Sequence, residues 1–531
     1  MPSDLSLLSE LGLSFRFMRD FPAFLKKPLT PAECERRVRT KLASREASFI
    51  DIIERVIFRL PHSPYHQLMR WAAIESHQVK KWVDQRGVEG TLEALYDAGV
   101  YLSLDEFKSR TPIVRQGFEL RTQPRDFDNP LATAHFVSQT GGSRSSGKRI
   151  YLDLDHYTQD AVYDYFFLQA HDLMDRPHAL WRPTPPWGAG IKALLSRAKI
   201  GMIVHKWFSQ NDWTPTRRNW KHSLMTAFAV YSGRLMGHAL AAPEHVHLND
   251  AWRVARWLAN QKSQGRAAWL NTNAASGVRV CMAALDRNID ISDTLFRFGG
   301  EPLTPAKAGV VSDAGARAVC HYTMGEIGRI GIACAAPKMV DEVHILSDKI
   351  AVIQREKTLS EGQKVRANIY TTLLPACPKF MLNVESDDYG ILERRHCGCL
   401  MGKLGYDLHF HTIRSYEKLT SEGMNFLGSD LIRLGEEILP KRFGGYPTDY
   451  QFLETEENGL PKVNLVVSPR VGKVDEHVVV ATVIDSLNAF PGSSDDYAER
   501  WREGGTLRVL RQEPCSTGAS KVLALHVQKP S

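Results

Sequence analysis

The sequence predicts an α/β protein: a large layered α/β domain carrying a helical N-terminal cap and a β-rich subdomain, followed by a small α+β domain. Three observations lead there. Helix-like and short apolar segments alternate from Asp155 to about Asp290. Between Thr294 and Tyr322 the order is strand, helix, strand, each strand ending in a glycine turn. Beyond Arg414 the pattern becomes a compact set of strands around one helix. The implied division is residues 1–414, with 1–120 as the cap, and 415–531.

A chain of 531 residues, 43% apolar and 24% charged, has ample sequence for a large core. The formal charge of +7 is spread along the chain, without the dense Lys/Arg stripe of a nucleic-acid binder. Acidic residues Asp4 and Glu10 break up the first apolar runs, and no uncharged stretch is long enough to span a bilayer, so a cytoplasmic protein is expected. The eight cysteines do not form a disulfide framework. His396-Cys397-Gly398-Cys399, with Cys377 upstream, has soft ligands for zinc but specifies no fourth. The pattern therefore reads as reduced thiols before it reads as a metal centre.

In chain order, Ala32 to Arg59 is charged and helically periodic, Leu60-Pro61-His62-Ser63-Pro64-Tyr65 breaks it, and His66 to Ala98 resumes. Leu102 to Thr111 ends the cap, and nothing before Thr111 reads as catalytic. The segment Thr140-Gly141-Gly142-Ser143-Arg144-Ser145-Ser146-Gly147-Lys148 combines backbone freedom, hydroxyls and a closing lysine, a composition suited to phosphate oxygens. It fits G-x-x-x-x-G-K from Gly142, yet Arg149 stands where a P-loop NTPase needs Ser or Thr, and a strand-like alternation follows where that motif needs a helix. On these residues alone, a phosphate cradle and an inert hairpin loop are equally good readings.

Asp155 is expected to cap a helix from Tyr157 to Leu173, and the Pro-rich Arg182 to Gly190 stretch interrupts the pattern. The histidines from His171 to His247 are scattered and show no metal-site spacing, and Trp207, Phe208, Trp213 and Trp220 read as core before pocket. Thr304-Pro305 caps a helix to about Ala314, between parallel strands ending near Gly299-Gly300 and Tyr322. Both turns lie at the carboxyl edge, where open α/β sheets bind ligands. Strands follow at Val343 to Leu346, Ile350 to Gln354, Ala367 to Leu374 and Lys379 to Asn383, and Val384 to Gly390 reads as an acidic turn. The last unit has strands at Tyr450 to Glu454, Lys462 to Val467 and Thr506 to Leu510, and a helix from Glu476 to Asn488.

This order of pieces resembles the adenylate-forming ligase superfamily, most closely its phenylacetate-CoA ligase-like branch. Thr140 to Lys148 is similar to the family's phosphate loop, and Gly299-Gly300-Glu301-Pro302-Leu303 to its adenine-side turn. Tyr322-Thr323-Met324-Gly325-Glu326 resembles Tyr-Gly-x-Thr-Glu, with Thr323 in the glycine position and Gly325 in the threonine position. Asp387-Asp388-Tyr389-Gly390 resembles the ribose-binding motif, with Asp388 preferred over Asp387. Arg414-Ser415-Tyr416 resembles the hinge, with Tyr416 where the family has aspartate, and Ser516 to Lys521 is similar to the loop bearing the adenylation lysine.

The resemblance implies an AMP-forming acid ligase that uses ATP and Mg2+, with a thiol of coenzyme A or an acyl carrier protein as acceptor and a mobile C-terminal domain. Lys521 and Glu326 would be catalytic, Glu326 by holding magnesium. Thr140, Gly141, Gly142, Ser143, Ser145, Lys148, Gly300, Glu301, Tyr322, Gly325, Asp388 and Arg414 would bind nucleotide. Ala268 to Asn273 would border the pocket of a small carboxylic acid whose identity the sequence leaves open, as it does the oligomeric state. An amine acceptor, or a homologue that binds nucleotide without catalysis, is the competing expectation.

Overall fold

The computed structural model describes residues 7–139, 149–185, 187–216, 220–300, 303, 305–358, 364–415, 419–421, 424–426, 431, 434–445, 449–457, 460–489, 507–514 and 525–527. Its N-terminal fifth is helical, as expected: α1 Leu7–Lys26, α2 Pro31–Ala43, α3 Arg45–Ile53, α4 Pro64–Trp71, α5 Ser76–Asp97 and α6 Leu104–Phe107. Local chemistry sets their starts. Thr30 accepts from the Glu33 N–H at 3.2 Å with Pro31 in the first helical position, and Ser103 and Glu106 form a reciprocal capping box on α6.

Two hairpins follow, β1 Ile113–Arg115 with β2 Phe118–Leu120, and β3 Phe136–Gln139 with β4 Arg149–Leu152. The second has Gln139 opposite Arg149, so residues 140–148 connect two antiparallel strands; that loop lies outside the described residues. The next helix, α7 Leu154–Ala170, starts earlier than expected. Its cap is Asp153, extended at φ −120° and ψ 164°, whose carboxylate accepts from the His156 N–H; Asp155 falls in the first turn.

The central layer is one twelve-stranded sheet. Its strands are β5 His178–Trp181, β6 Lys206–Ser209, β7 Pro243–His245, β8 Trp269–Thr272, β9 Leu295–Gly299, β10 Arg317–Met324, β11 Gly328–Ala333, β12 Val343–Ile345, β13 Ile350–Thr358, β14 Lys364–Thr372, β15 Val384–Arg394 and β16 Leu408–Ser415. The spatial order is β13-β14-β15-β16-β12-β11-β10-β9-β8-β5-β6-β7. Strands β5 to β10 are mutually parallel and β10 to β16 antiparallel. Chain order runs outward from β5 to β7 and then resumes on β5's other side with β8, so a topological switch point lies between β5 and β8.

The parallel strands are connected through α8 Ala189–Lys199, α9 Trp220–Leu235, α10 Ala251–Ser263, α11 Ala274–Asp286 and α12 Pro305–Asp313. Thr304, expected to cap α12, lies outside the described residues, and Pro305 is its first residue. Alternation along the strands divides the core between two faces. Trp269 and Leu295 pack with Phe167 of α7, whereas Leu270 and Phe296 pack with Val254 of α10 and Cys281 of α11 and share that core with cap residues such as Leu92. Each such fully buried side chain contributes roughly 1.5–3 kcal/mol. Trp207 and Phe208 are core residues of β6, whereas Trp220 is half exposed.

Two expectations in the antiparallel half need correction. Lys379 to Asn383 is not a strand; it forms an isolated bridge from Lys379 to Asp128, and Asn383 has a positive φ of 47°. Val384 to Gly390 is not a turn but the first part of β15. Side-chain partners absorb its acidic groups, and a register shift between Tyr389 and Ile391 bends the strand where Gly390 meets Phe410; a Cβ there would lie 2.6 Å from that ring.

A short hairpin, β17 Leu419–Ser421 with β18 Met424–Phe426, follows β16. The last sheet has order β21-β20-β19-β22, with β19 Tyr450–Glu457, β20 Leu460–Val467, β21 Leu507–Arg511 and β22 Leu525–Val527. The helix Glu476–Ala489 closes it over a separate apolar core of Phe452, Leu465, Val479, Val483 and Val509. Among the described residues no helix is long and apolar enough to cross a membrane.

Candidate active site

The carboxyl ends of β5, β8, β9 and β10 form one edge, and the chain leaves the sheet there through polar residues. Arg182, directly after β5, occupies the switch point. Its guanidinium donates to Asn271 Oδ1 at 3.0 and 3.1 Å, to Thr272 O at 2.6 Å, to Gly299 O at 3.2 Å, and to Asn273 Oδ1. One side chain thus joins the ends of three strands. Gly300, with φ +91°, turns the chain away beside Asn273; a residue with a Cβ is strained there.

Register carries this edge to the next strand. His321 of β10 lies opposite Gly299, which places Tyr322 beside the Gly299-Gly300 turn. Tyr322 is 8% exposed, and its hydroxyl donates to Asp388 Oδ2 at 2.7 Å. Tyr370 of β14 donates to the Tyr322 hydroxyl at 2.9 Å, Asn368 to Tyr370 at 3.0 Å, and Gln354 to Asn368 at 2.9 Å. Burial, with the Asp388 carboxylate alongside, pushes the Tyr322 phenol far above its ordinary value. Tyr322 therefore keeps its proton, and the relay ends on a charged acceptor. Asp388 is half-buried at this edge, whereas Asp387 is buried.

Glu326 lies in the tight turn between β10 and β11, whose bend is Gly325-Glu326-Ile327; Thr323 and Met324 remain in β10. The residue is 7% exposed, and its carboxylate is paired with the ammonium of Lys108, just past α6. The Lys379 N–H holds the Glu326 carbonyl at 3.0 Å. Magnesium bound with a nucleotide needs one or two protein carboxylates, the remaining positions going to phosphate oxygens and water. Glu326 satisfies that requirement by itself, with Lys108 competing for the same oxygens.

Of the residues expected to form a site, the described structure thus brings Gly300, Tyr322 and Asp388 to one edge and places Gly325 and Glu326 in the turn after β10. Thr140, Gly141, Gly142, Ser143, Ser145, Lys148, Glu301 and Lys521 lie outside the described residues, as does the side chain of Arg414, whose backbone pairs with Tyr389. Trp269 of the expected acyl-pocket border is instead core, stacked on His178 at 3.5 Å; only Asn271 to Asn273 reach the edge. Cys377 stands apart from Cys397 and Cys399 and is buried where its carbonyl meets Asn129, so the expected trio of thiols does not form. Sequence reading missed Arg182 and Lys108. Arg182 left a signal, a cation immediately after the apolar run Ala179-Leu180-Trp181, whereas Lys108 resembles any lysine following a helix.

No family model and no curated protein sequence matches the chain. Solved structures do. A 2-hydroxyisobutyryl-CoA ligase in complex with 2-HIB-AMP and CoA in the thioesterification state aligns with a TM-score of 0.51 at 12% identity, over 94% of this chain and 91% of that one. An open conformation of the same ligase aligns with a TM-score of 0.45 at 12% identity, over 94% and 93%. The first of these, extending over nearly the full length of both chains, shows that this chain has the fold of the adenylate-forming acyl-CoA ligases.

Proposed function

We propose that this chain activates a small carboxylic acid as its acyl-adenylate, releases pyrophosphate from ATP, and transfers the acyl group to a thiol. The observation that carries the reading is the Tyr322–Asp388 hydrogen bond, which holds a carboxylate beside the Gly300 turn at the carboxyl edge of the parallel strands. A fixed, half-buried carboxylate matches two vicinal ribose hydroxyls, and the Tyr322 ring offers a flat face near the base. The solved ligase of the same fold is in complex with 2-HIB-AMP and CoA, which supports an acyl-adenylate as the intermediate.

A carboxylate acylates poorly because oxide is its leaving group. One carboxylate oxygen attacks the α-phosphorus, the bond to the departing pyrophosphate breaks, and the acyl carbon acquires AMP as leaving group. A thiol sulfur then attacks that carbon, AMP departs, and the thiol proton passes to solvent. Two anions must approach, so the protein's task is charge neutralisation and positioning. Hydroxyls and N–H groups of 140–148 would hold the β- and γ-phosphates, and Lys521 would bridge carboxylate and α-phosphate. Magnesium, when bound at Glu326, would lower the charge on the phosphates. Residues 1–414 would form the nucleotide-binding body and 415–531 a lid that exchanges its face between the two half-reactions.

Replacing Lys521 by Ala is expected to abolish acid-dependent pyrophosphate exchange while leaving most of the transfer from preformed acyl-adenylate to coenzyme A. Equal loss in both half-reactions removes Lys521 from the adenylation step. Product masses with coenzyme A and with amines identify the acceptor class.

A further inference from the structure

We propose that the chain carries a structural zinc site of three cysteines and one histidine, Cys334, His344, Cys397 and Cys399, at the end of the antiparallel sheet remote from Asp388. The four ligand atoms all lie within 4.8 Å of one another. Cys397 Sγ is 3.3 Å from Cys399 Sγ, and His344 Nε2 is 3.1 Å from Cys399 Sγ and 3.7 Å from Cys397 Sγ. Zinc–sulfur and zinc–nitrogen bonds of about 2.3 and 2.0 Å set the edges of a tetrahedron at roughly 3.8 Å for S···S and 3.5 Å for S···N. The donors already stand at nearly those separations, whereas a disulfide needs its sulfurs about 2.05 Å apart.

Three segments that are distant in sequence converge here. Cys334 follows β11, His344 is on β12, and Cys397 and Cys399 belong to the connection from β15 to β16. Gly398, at φ +73°, makes the tight turn between the two thiols, and the missing side chain of Gly402 leaves room for Cys397 Sγ, which a Cβ would approach to 3.1 Å. The surroundings also suit a metal. His344 Nδ1 is 2.7 Å from the Tyr406 carbonyl, which fixes its proton on that nitrogen and turns the Nε2 lone pair toward the sulfurs.

Three thiolates on a divalent ion leave one net negative charge. The Arg395 guanidinium lies 3.7 Å from Cys334 Sγ, and the Ala336 N–H lies 3.4 Å from it. Glu342 also approaches Cys334, but its carboxylate is bound to Arg395 and to His409 Nδ1 at 2.6 Å, so it orients the surround and is not a ligand. On binding, the thiol protons go to solvent and the sulfur lone pairs to zinc. The ion would tie the connection 395–407 to β11 and β12, about six strand residues or ~20 Å along β15 from Asp388. Its role is therefore to hold the strand that presents the carboxylate.

The test is elemental analysis of the full chain purified without chelator, together with optical spectra after exchange with cobalt(II). The expected result is about one zinc per chain and the intense visible bands of a tetrahedral thiolate-bound cobalt centre. Cys397→Ser and Cys399→Ser should each weaken zinc binding by more than about tenfold. Cys377→Ser should leave it unchanged. Because the unsubstituted protein is measured first, poor folding of a variant does not decide the outcome. Wild-type protein that neither contains zinc nor gives thiolate bands on titration with cobalt overturns the proposal, as does a Cys397–Cys399 disulfide in the native chain or loss of metal in Cys377→Ser.

Discussion

Asp388 owes its position to a buried phenol, that of Tyr322, whose hydroxyl donates to its carboxylate at 2.7 Å. A hydrogen bond from a neutral donor to a charged acceptor contributes about 1.5–3 kcal/mol, and leaving its buried partner unsatisfied costs a similar amount. Tyr322→Phe removes the donor while keeping the ring, so ATP affinity should fall by roughly ten- to hundredfold, with the fold unchanged by circular dichroism. Asp388→Ala should weaken ATP at least as much. Equilibrium ATP binding to both variants is the measurement, and unchanged affinity in Asp388→Ala would transfer the ribose role to another residue. Lys108 makes a different point. It comes from a region with no apparent chemistry, yet its ammonium pairs with the carboxylate of Glu326.

At the scale of elements, α7 shows how a start signal can be misread by two residues and still matter physically. Asp153 caps the helix from a nearly dry position, 4% exposed. Burial raises its carboxyl from 3.8 to about 6, although the N–H groups of His156 and Thr133 pull the other way. A carboxyl raised on folding contributes stability that is fully present below its unfolded value and is lost as the pH climbs through the folded one. The window is therefore about pH 4 to 6, and the shift corresponds to roughly 3 kcal/mol. Asp153→Asn cannot ionise but still accepts from His156. Its stability relative to wild type, read from urea midpoints, should rise by up to about 3 kcal/mol between pH 4 and 7. Parallel pH profiles would show that Asp153 ionises without penalty. The neighbouring Asp164 behaves oppositely: burial alone would raise it, but Arg197, Arg297 and Arg329 hold it well below the usual carboxylate range and tie α7 to α8, β9 and β11.

Across the whole molecule, the parallel half was the more legible in sequence. Its strands are short apolar runs between helical segments, and the Gly299-Gly300 turn falls where the backbone takes a positive φ, +91° at Gly300. The antiparallel half was harder because its signals depend on long-range pairing. Val384 to Gly390 has the polarity of a turn, and partners distant in sequence, Lys357 for Glu385 and Tyr322 for Asp388, receive its acidic side chains in a strand. Cys397 and Cys399 marked one side of a cluster, but Cys334 and His344 join them solely through the pairing of β11, β12 and β16, which no local pattern encodes. The switch point at Arg182 likewise emerges only once β8 is seen beside β5. The remaining site residues, including Lys148 and Lys521, rest on resemblance, and chemistry will test them.

The central claim is that the edge built from Arg182, Tyr322, Glu326 and Asp388 serves adenylation of a carboxylic acid. The most direct test incubates the full chain with ATP, Mg2+ and labelled pyrophosphate across a library of aromatic, aliphatic and amino acids, and reads label entering ATP. Label should enter ATP only when a cognate acid is present, and Asp388→Ala should suppress it. ATP that binds but gives no exchange with any acid in the library, or is cleaved to ADP instead of AMP, would contradict the account.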